Sequence, residues 1–438
     1  PMDWKLRHAD KLVSVAEGAR IVRSGQKVWV GMFTSTPESL CTALLGRASA
    51  LEDVEIVHYV SPFLWATSET AGHFRLTTGF ATPADRGQVR SGIADYLPLG
   101  NFRRSYVQEV VGTFDVAFMK TSPPDENGFL SMGTALWANR TMLDVTRTIV
   151  CEVDERLVRT FGENYIHISE VAALVEHNPA DDREAPIAPR SQEVIDATEV
   201  VGTLIASELV HDGDTLQIGI GDVTSALALF LGEKHDLGMQ TELIPGGIVD
   251  LVDQGVMTGK YKSIAPGKVV GAAFAVLPPE EAARVHLNPK FELWDFCHTD
   301  DLRMLCQQQN FVAINNALQI DVTGQVTAES LNGKVFSGPG GQTVFAIAAA
   351  FCEGGRSIIA MPSSSTIEGV RQTRILAHLP QGSTVTVPRT YVDYVVTEQG
   401  IATLKGKNLR QRCEELISVA HPDCRAELRR EAHEWFNY

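Results

Sequence analysis

The sequence has no CxxC pair, no HxxxH or HExxH spacing, no Walker-type phosphate loop and no GxSxG turn. It also has no window approaching ~18 uninterrupted apolar residues. Each absence removes a class. Twelve dispersed histidines give no support to metal catalysis. The missing GxSxG and Walker patterns remove a serine-hydrolase elbow and a P-loop. No membrane span is expected, and Pro1 to Lys5 lacks the basic and apolar regions of a secretory leader. The seven cysteines are odd in number and scattered, which reads as reduced, buried thiols in a cytoplasmic protein. Net positive charge is lacking too: a formal charge of −16 disfavours nucleic acid as a partner. It leaves room for a small anion held by a few lysines or backbone N–H groups.

What is present is an ordinary globular composition, 44% hydrophobic and 21% charged, in 438 residues, enough for two domains. Lys27-Val-Trp-Val-Gly31, Val54-Glu-Ile-Val-His58, Asp115 to Lys120 and Thr148 to Glu152 read as strands buried on both faces. Helical patterns alternate with them, one opening at Thr36-Pro37-Glu38, so open and mostly parallel α/β sheets are expected. His177 to Pro189, with three prolines and clustered charges, breaks both periodicities. It divides the chain into an N-terminal domain, 1–185, and a C-terminal domain, 186–438. A faint repeat supports the division: Ser24-Gly25 to Gly31 and Asp212-Gly213 to Gly219 share their glycine offsets. The strand after each carries a glutamate, Glu55 and Glu242. Two related domains would face each other across a ligand cleft. Chance likeness between two βα units explains the repeat equally well.

Three segments carry candidate chemistry. Leu216-Gln217-Ile-Gly219-Ile-Gly221-Asp222 is a strand ending in a glycine turn, where backbone can approach an anion. A dinucleotide fingerprint would need a third glycine where Thr224 stands, so an NAD-dependent dehydrogenase fails. Gln240-Thr-Glu242-Leu-Ile-Pro-Gly-Gly247 puts a lone carboxylate inside a strand; on these residues alone a surface glutamate on an edge strand is favoured. Phe336-Ser-Gly338-Pro-Gly340-Gly341-Gln342 opens an alanine-rich helix and suits either an oxyanion hole or a tight packing turn.

Taken in order, the chain resembles the acetyl-CoA hydrolase/transferase family. The markers are Asp125 to Gly133, Gln217 to Gly221, Thr241-Glu242-Leu243, Asp321 to Val326, Gly338 to Phe345, Ile358 to Ser363, Val392 to Gly400 and Ala420 to Asp423. The resemblance implies two open α/β domains with the active site between them, and a homo-oligomer. It makes Glu242 the nucleophile, with Gly340 and Gly341 near the oxyanion and the CoA chain. Gln217, Gly219 and Gly221 would line the acyl side, Gly338 and Gln342 would belong to the substrate-binding loop, and Glu398 would lie close to the site. No metal and no permanently bound cofactor is implied; coenzyme A enters as the thioester substrate, with a small carboxylic acid as its partner.

A free glutamate, pKa ~4.3, is ionised at neutral pH and attacks without a general base. The family's chemistry runs through an acyl-glutamyl anhydride and a glutamyl-CoA thioester. A thioesterase on the same scaffold is the alternative, and an acyl-CoA sensor is disfavoured by the retained glutamate. Val344 stands where the family usually has Asp, Val223-Thr224 where it has Ile-Pro, and Met32-Phe33 where small residues are common. These departures leave the acid open among 4-hydroxybutyrate, butyrate and itaconate, and the donor among acetyl-, succinyl- and butyryl-CoA.

Overall fold

A computed structural model describes residues 3–100, 103–183, 191–221, 223–367 and 369–438. The expected boundary near residue 185 and Asp222 of the glycine turn lie outside the described residues. The chain divides into two compact units, Pro1–Ile187 with Pro278–His298, and Ala188–Leu277 with Thr299–Tyr438. Residues 278–298, counted with the C-terminal domain from sequence, thus return to the first unit.

The first unit is built on β1 (Leu12–Val13), β2 (Lys27–Val30), β3 (Val54–His58), β4 (Phe74–Thr78), β5 (Asp95–Tyr96), β6 (Phe114–Thr121), β7 (Thr146–Val153) and β8 (Val171–Glu176). Their order is β1-β8-β7-β6-β2-β3-β4-β5, and every pairing is parallel. The apolar runs form strands because helices and loops cover both faces; Val28, Val30, Val54, Ile56, Val116 and Phe118 join Leu40 and Leu44 in one core. Gly25, just before β2, has φ +73°, and Gly213 in the second unit has φ +79°. Both copies of the repeat therefore enter their strand through a left-handed residue, where glycine carries no Cβ penalty.

Helix α1 (Glu38–Leu45) starts one residue later than the Thr-Pro signal predicts, and no side chain of its own segment caps it. Glu152 of β7 does so instead, accepting from Ser39 N at 3.2 Å and Leu40 N at 2.8 Å. The returning segment pairs Phe291–Leu293 in parallel with Phe161–Gly162. Gly162 has φ +101°, and a Cβ there would lie 2.0 Å from the Leu293 carbonyl oxygen, so only glycine fits. Next to it, Asp295 accepts from Thr141 N (2.8 Å) and Thr141 Oγ1 (2.7 Å) on α2 (Asn139–Leu143), and from Cys297 N (3.0 Å). Burial pushes its carboxyl up to about 6 against those donors.

The second unit carries β9 (Thr215–Ile218), β10 (Gly238–Gln240), β11 (Val269–Gly271), β12 (Phe311–Asn316), β13 (Arg356–Ala360), β14 (Tyr394–Thr397) and β15 (Gly400–Thr403). They lie in the order β15-β14-β13-β12-β9-β10-β11. All pairings are parallel except the closing hairpin β14–β15. Helix α3 (Gln192–Leu204), capped by Ser191 Oγ accepting from Val194 N, ends in a π-turn at Ile205–Leu209. The segment after the glycine turn, Thr224–Phe230, is 3-10. Helix α4 (Gln342–Phe351) follows the glycine loop as predicted, and packs Phe345 and Ala348 against Phe311 and Ala313 of β12. No helix among the described residues is long and apolar enough to cross a membrane.

Candidate active site

In a parallel sheet the carboxyl ends of the strands form one edge, where ligand groups gather. Gln217 is the third residue of β9 and 2% exposed. Its amide is locked to Asn315 of β12, Nε2 donating to Asn315 Oδ1 at 3.0 Å and Oε1 accepting from Asn315 Nδ2 at 2.9 Å. The glycine turn follows from this contact. A Cβ on Gly219 would lie 2.4 Å from Asn315 Oδ1, and one on Gly221 1.8 Å from Asn316 Nδ2. The two glycines are therefore demanded by an asparagine pair at the end of β12 that sequence reading passed over. The available signal was polarity: Asn315-Asn316 breaks an otherwise apolar strand.

Glu242 does not lie within a strand. β10 stops at Gln240, and pairing resumes only at Leu243–Ile244 against Ala273–Phe274. The glutamate stands in the break, its carbonyl accepting from Ala272 N at 2.7 Å. It is neither superficial nor on an edge strand: it is 8% exposed, and β10 lies between β9 and β11. Its proposed counterpart behaves differently. Glu55 is the second residue of β3, opposite Lys27 and Arg75, so the repeat does not extend to the two carboxylates.

The glycine loop meets Glu242 directly. Gly341 N donates to Glu242 Oε2 at 2.7 Å. Gly341 is also the N-cap of α4, whose first-turn N–H groups and dipole favour a negative charge there. Gly340, φ +51°, would place a Cβ 3.9 Å from the same oxygen. Gln342 Nε2 donates to the Asn316 carbonyl at 2.9 Å, tying the helix start to the end of β12, and Gly338 is buried in the approach. A second carboxylate, Asp300, is 2% exposed and was missed from sequence. A Cβ on Gly341 would lie 2.4 Å from Asp300 Oδ2 and 2.5 Å from Glu242 Oε2, so these oxygens are within about 5 Å of each other. Asp300 Oδ1 accepts from Thr299 Oγ1 at 2.7 Å.

Glu398 follows β14, which β13, β12 and β9 separate from β10 in the sheet. Its carboxylate accepts from Ser363 N at 2.9 Å and from Ser363 Oγ, which fastens the loop after β13. The fold thus gathers Glu242, Gly340, Gly341 and Gln342 into one cluster, sets Gln217, Gly219 and Gly221 beside the asparagine pair, and gives Glu398 a separate anchoring contact.

Two further polar clusters lie in the first unit. Buried Glu38, Glu152 and His177 stand close enough to share a metal ion. Their valences are met by protein, however. Lys120 Nζ lies 2.7 Å from Glu38 Oε2, the α1 amides occupy Glu152, and His177 Nδ1 lies 2.5 Å from Glu152 Oε1. At the end of β3, His58 and Asp85 are both fully buried with Nε2 and Oδ1 3.6 Å apart. Burial lowers the His58 ring to about 3 and raises the Asp85 carboxyl to about 6 against the Thr82 hydrogen bond.

The match to known proteins spans the chain. Residues 2–184 match the acetyl-CoA hydrolase/transferase N-terminal domain and residues 281–432 the C-terminal domain of the same name. The 4-hydroxybutyrate coenzyme A transferase of Clostridium kluyveri is 34% identical, covering 98% of this chain and 99% of that one. The butyryl-CoA:acetate CoA-transferase of Anaerostipes caccae is 32% identical, covering 98% of each. Among solved structures, RipA from Yersinia pestis superposes with a TM-score of 0.89 at 30% identity, covering 99% of both chains. The 4-hydroxybutyrate CoA-transferase of Porphyromonas gingivalis gives 0.80 at 28% identity, covering 99% of this chain and all of that one. The chain belongs to the acetyl-CoA hydrolase/transferase family, and its class of activity is that of a CoA-transferase.

Proposed function

We propose that the protein moves coenzyme A from an acyl-CoA to a small carboxylic acid in a ping-pong reaction, with Glu242 as the covalent nucleophile. The observation that carries this reading is the 2.7 Å hydrogen bond from Gly341 N to Glu242 Oε2 at a carboxylate only 8% exposed. The bond divides the roles of the two oxygens. Oε1 attacks the thioester carbonyl, the C–S bond breaks, and an acyl-glutamyl anhydride and CoA thiolate result. The thiolate then attacks the glutamyl carbonyl, and the bond between the glutamyl carbon and Oε1 breaks, so that Oε1 departs with the acyl group. The first acid leaves as its carboxylate, and glutamyl-CoA remains. An incoming carboxylate reverses both steps. Whenever the glutamyl carbon is attacked, negative charge gathers on Oε2, the oxygen to which Gly341 already donates, so that donor needs no reorganisation.

The names of the relatives support 4-hydroxybutyrate, butyrate and acetate as acids to try first; itaconate is added from the sequence resemblance alone. Coenzyme A is then a substrate, and no resident cofactor takes part.

The test is to incubate the protein with acetyl-, succinyl- and butyryl-CoA and follow the CoA adduct by intact mass, mapping it by peptide analysis. We expect it on Glu242, and expect it absent from Glu242→Gln. CoA exchange on adding an acid supports the transferase. Steady release of free CoA without acid would instead make the protein a hydrolase. An adduct or exchange surviving in Glu242→Gln sinks the proposed nucleophile.

A further inference from the structure

The Gly338-Pro-Gly-Gly341 span has few side chains with which to hold itself, so its shape is set by whatever grips its two ends. Both ends are gripped by one support. At the entrance, Phe336 N donates to the Glu329 carbonyl at 2.7 Å, and Ser337 Oγ donates to the Ala328 carbonyl at 2.7 Å. At the exit, Thr343, the second residue of α4, donates its hydroxyl to the Thr386 carbonyl at 2.5 Å.

Thr386, 3% exposed, is built into the same support. Its N–H donates to the Val326 carbonyl at 2.8 Å, and its Oγ1 donates to Glu329 Oε2 at 2.8 Å and accepts from Ala328 N at 3.0 Å. The loop is thus a short bridge whose entrance rests on residues 328–329 and whose exit rests on Thr386, with those two footings bonded to each other. Gly341 N lies two residues before the exit anchor.

We propose that Thr343 is a positioning residue for the transfer reaction: through Thr386 it fixes the start of α4, and so holds Gly341 N on Glu242. This rests on Glu242 as nucleophile. Thr343 does not touch the reacting atoms. A threonine hydroxyl in a first helical turn ordinarily serves its own helix; here it leaves the helix for a carbonyl 43 residues away.

The decisive variant is Thr343→Ala, because alanine is the better helix former and a loss of rate cannot be laid to unwinding of α4. Single-turnover formation of the Glu242–CoA adduct should slow about tenfold, an effect equivalent to one decade in a rate constant. Half-saturating acyl-CoA should move by less than about twofold, since the anchor acts on the reacting end of the site. Thr343→Ser should restore the rate to within about twofold, because it keeps the donor. A second readout needs no substrate: Gly341 amide hydrogen exchange should accelerate in Thr343→Ala and return in Thr343→Ser.

An unchanged adduct rate in Thr343→Ala, a change confined to half-saturation, or no rescue by serine would each overturn the proposal. Wild-type protein that forms no adduct at all would instead bring down the reading of Glu242, a different result read in the same experiment.

Discussion

A single α-carbon, that of Gly341, lies against three side chains. A Cβ there would lie 2.4 Å from Asp300 Oδ2, 2.5 Å from Glu242 Oε2 and 2.5 Å from the Phe345 ring. Its φ of −86° suits any residue, so the objection to a side chain is purely one of space. Gly341→Ala is expected to lower CoA exchange by about a hundredfold or more, the usual scale for losing one oxyanion donor. Gly232→Ala, where nothing lies within 4 Å, should change it by less than about twofold. At this scale the sequence was partly legible. The glycines before an alanine-rich run suited either a close backbone approach or a tight turn, and Glu242, which its own segment presents as a surface glutamate, stood out only through the family resemblance. Thr386 gave no such signal and Asn315 only its polarity, because their partners are far off in sequence; Gln217 and Asn315, for instance, are 98 residues apart.

Elements were read best where one short segment determines itself. β2, β3, β6 and β7 were found from runs rich in β-branched and apolar residues, since strands covered on both faces need no polar alternation. Helix α1 shows where this fails. Its start was predicted from Thr36 and Pro37, yet its first amides are satisfied by Glu152, a residue of another strand. Glu152 is fully buried and also meets His177 at 2.5 Å, so α1, β7 and the chain after β8 share one carboxylate. Glu152→Ala should cost about 3–5 kcal/mol, because it leaves buried N–H groups and the Lys120–Glu38–His177 charges uncompensated. Urea unfolding monitored by circular dichroism checks this, and a loss under about 1 kcal/mol would show that water replaces the carboxylate.

For the molecule as a whole, the buried His58–Asp85 pair predicts a distinctive dependence of stability on pH. Folded Asp85 keeps its proton to about 6, whereas an ordinary aspartate loses it near 3.8. The folded state binds the extra proton in that window, so this contribution falls as pH rises. Folded His58 takes up its proton only near 3 instead of 6.5, so there the unfolded state binds the extra proton and stability rises with pH. The two slopes oppose each other between 3.8 and 6. Asp85→Asn should leave the histidine slope exposed and gain on the order of 3 kcal/mol relative to wild type between those pH values. Urea midpoints that run parallel with pH in the two proteins would refute the cancellation. The α/β class of both units was legible from the alternation of strands and helices. The membership of residues 278–298 was not, because it depends on Gly162 and Thr141, which meet that segment only after folding. That return has a consequence for how the protein is made. As the chain leaves the ribosome, the first unit lacks Asp295 and the strand Phe291–Leu293 until residue 298 has emerged. By then a long stretch of the second unit is already outside, so the two units cannot mature strictly one after the other as independent beads would.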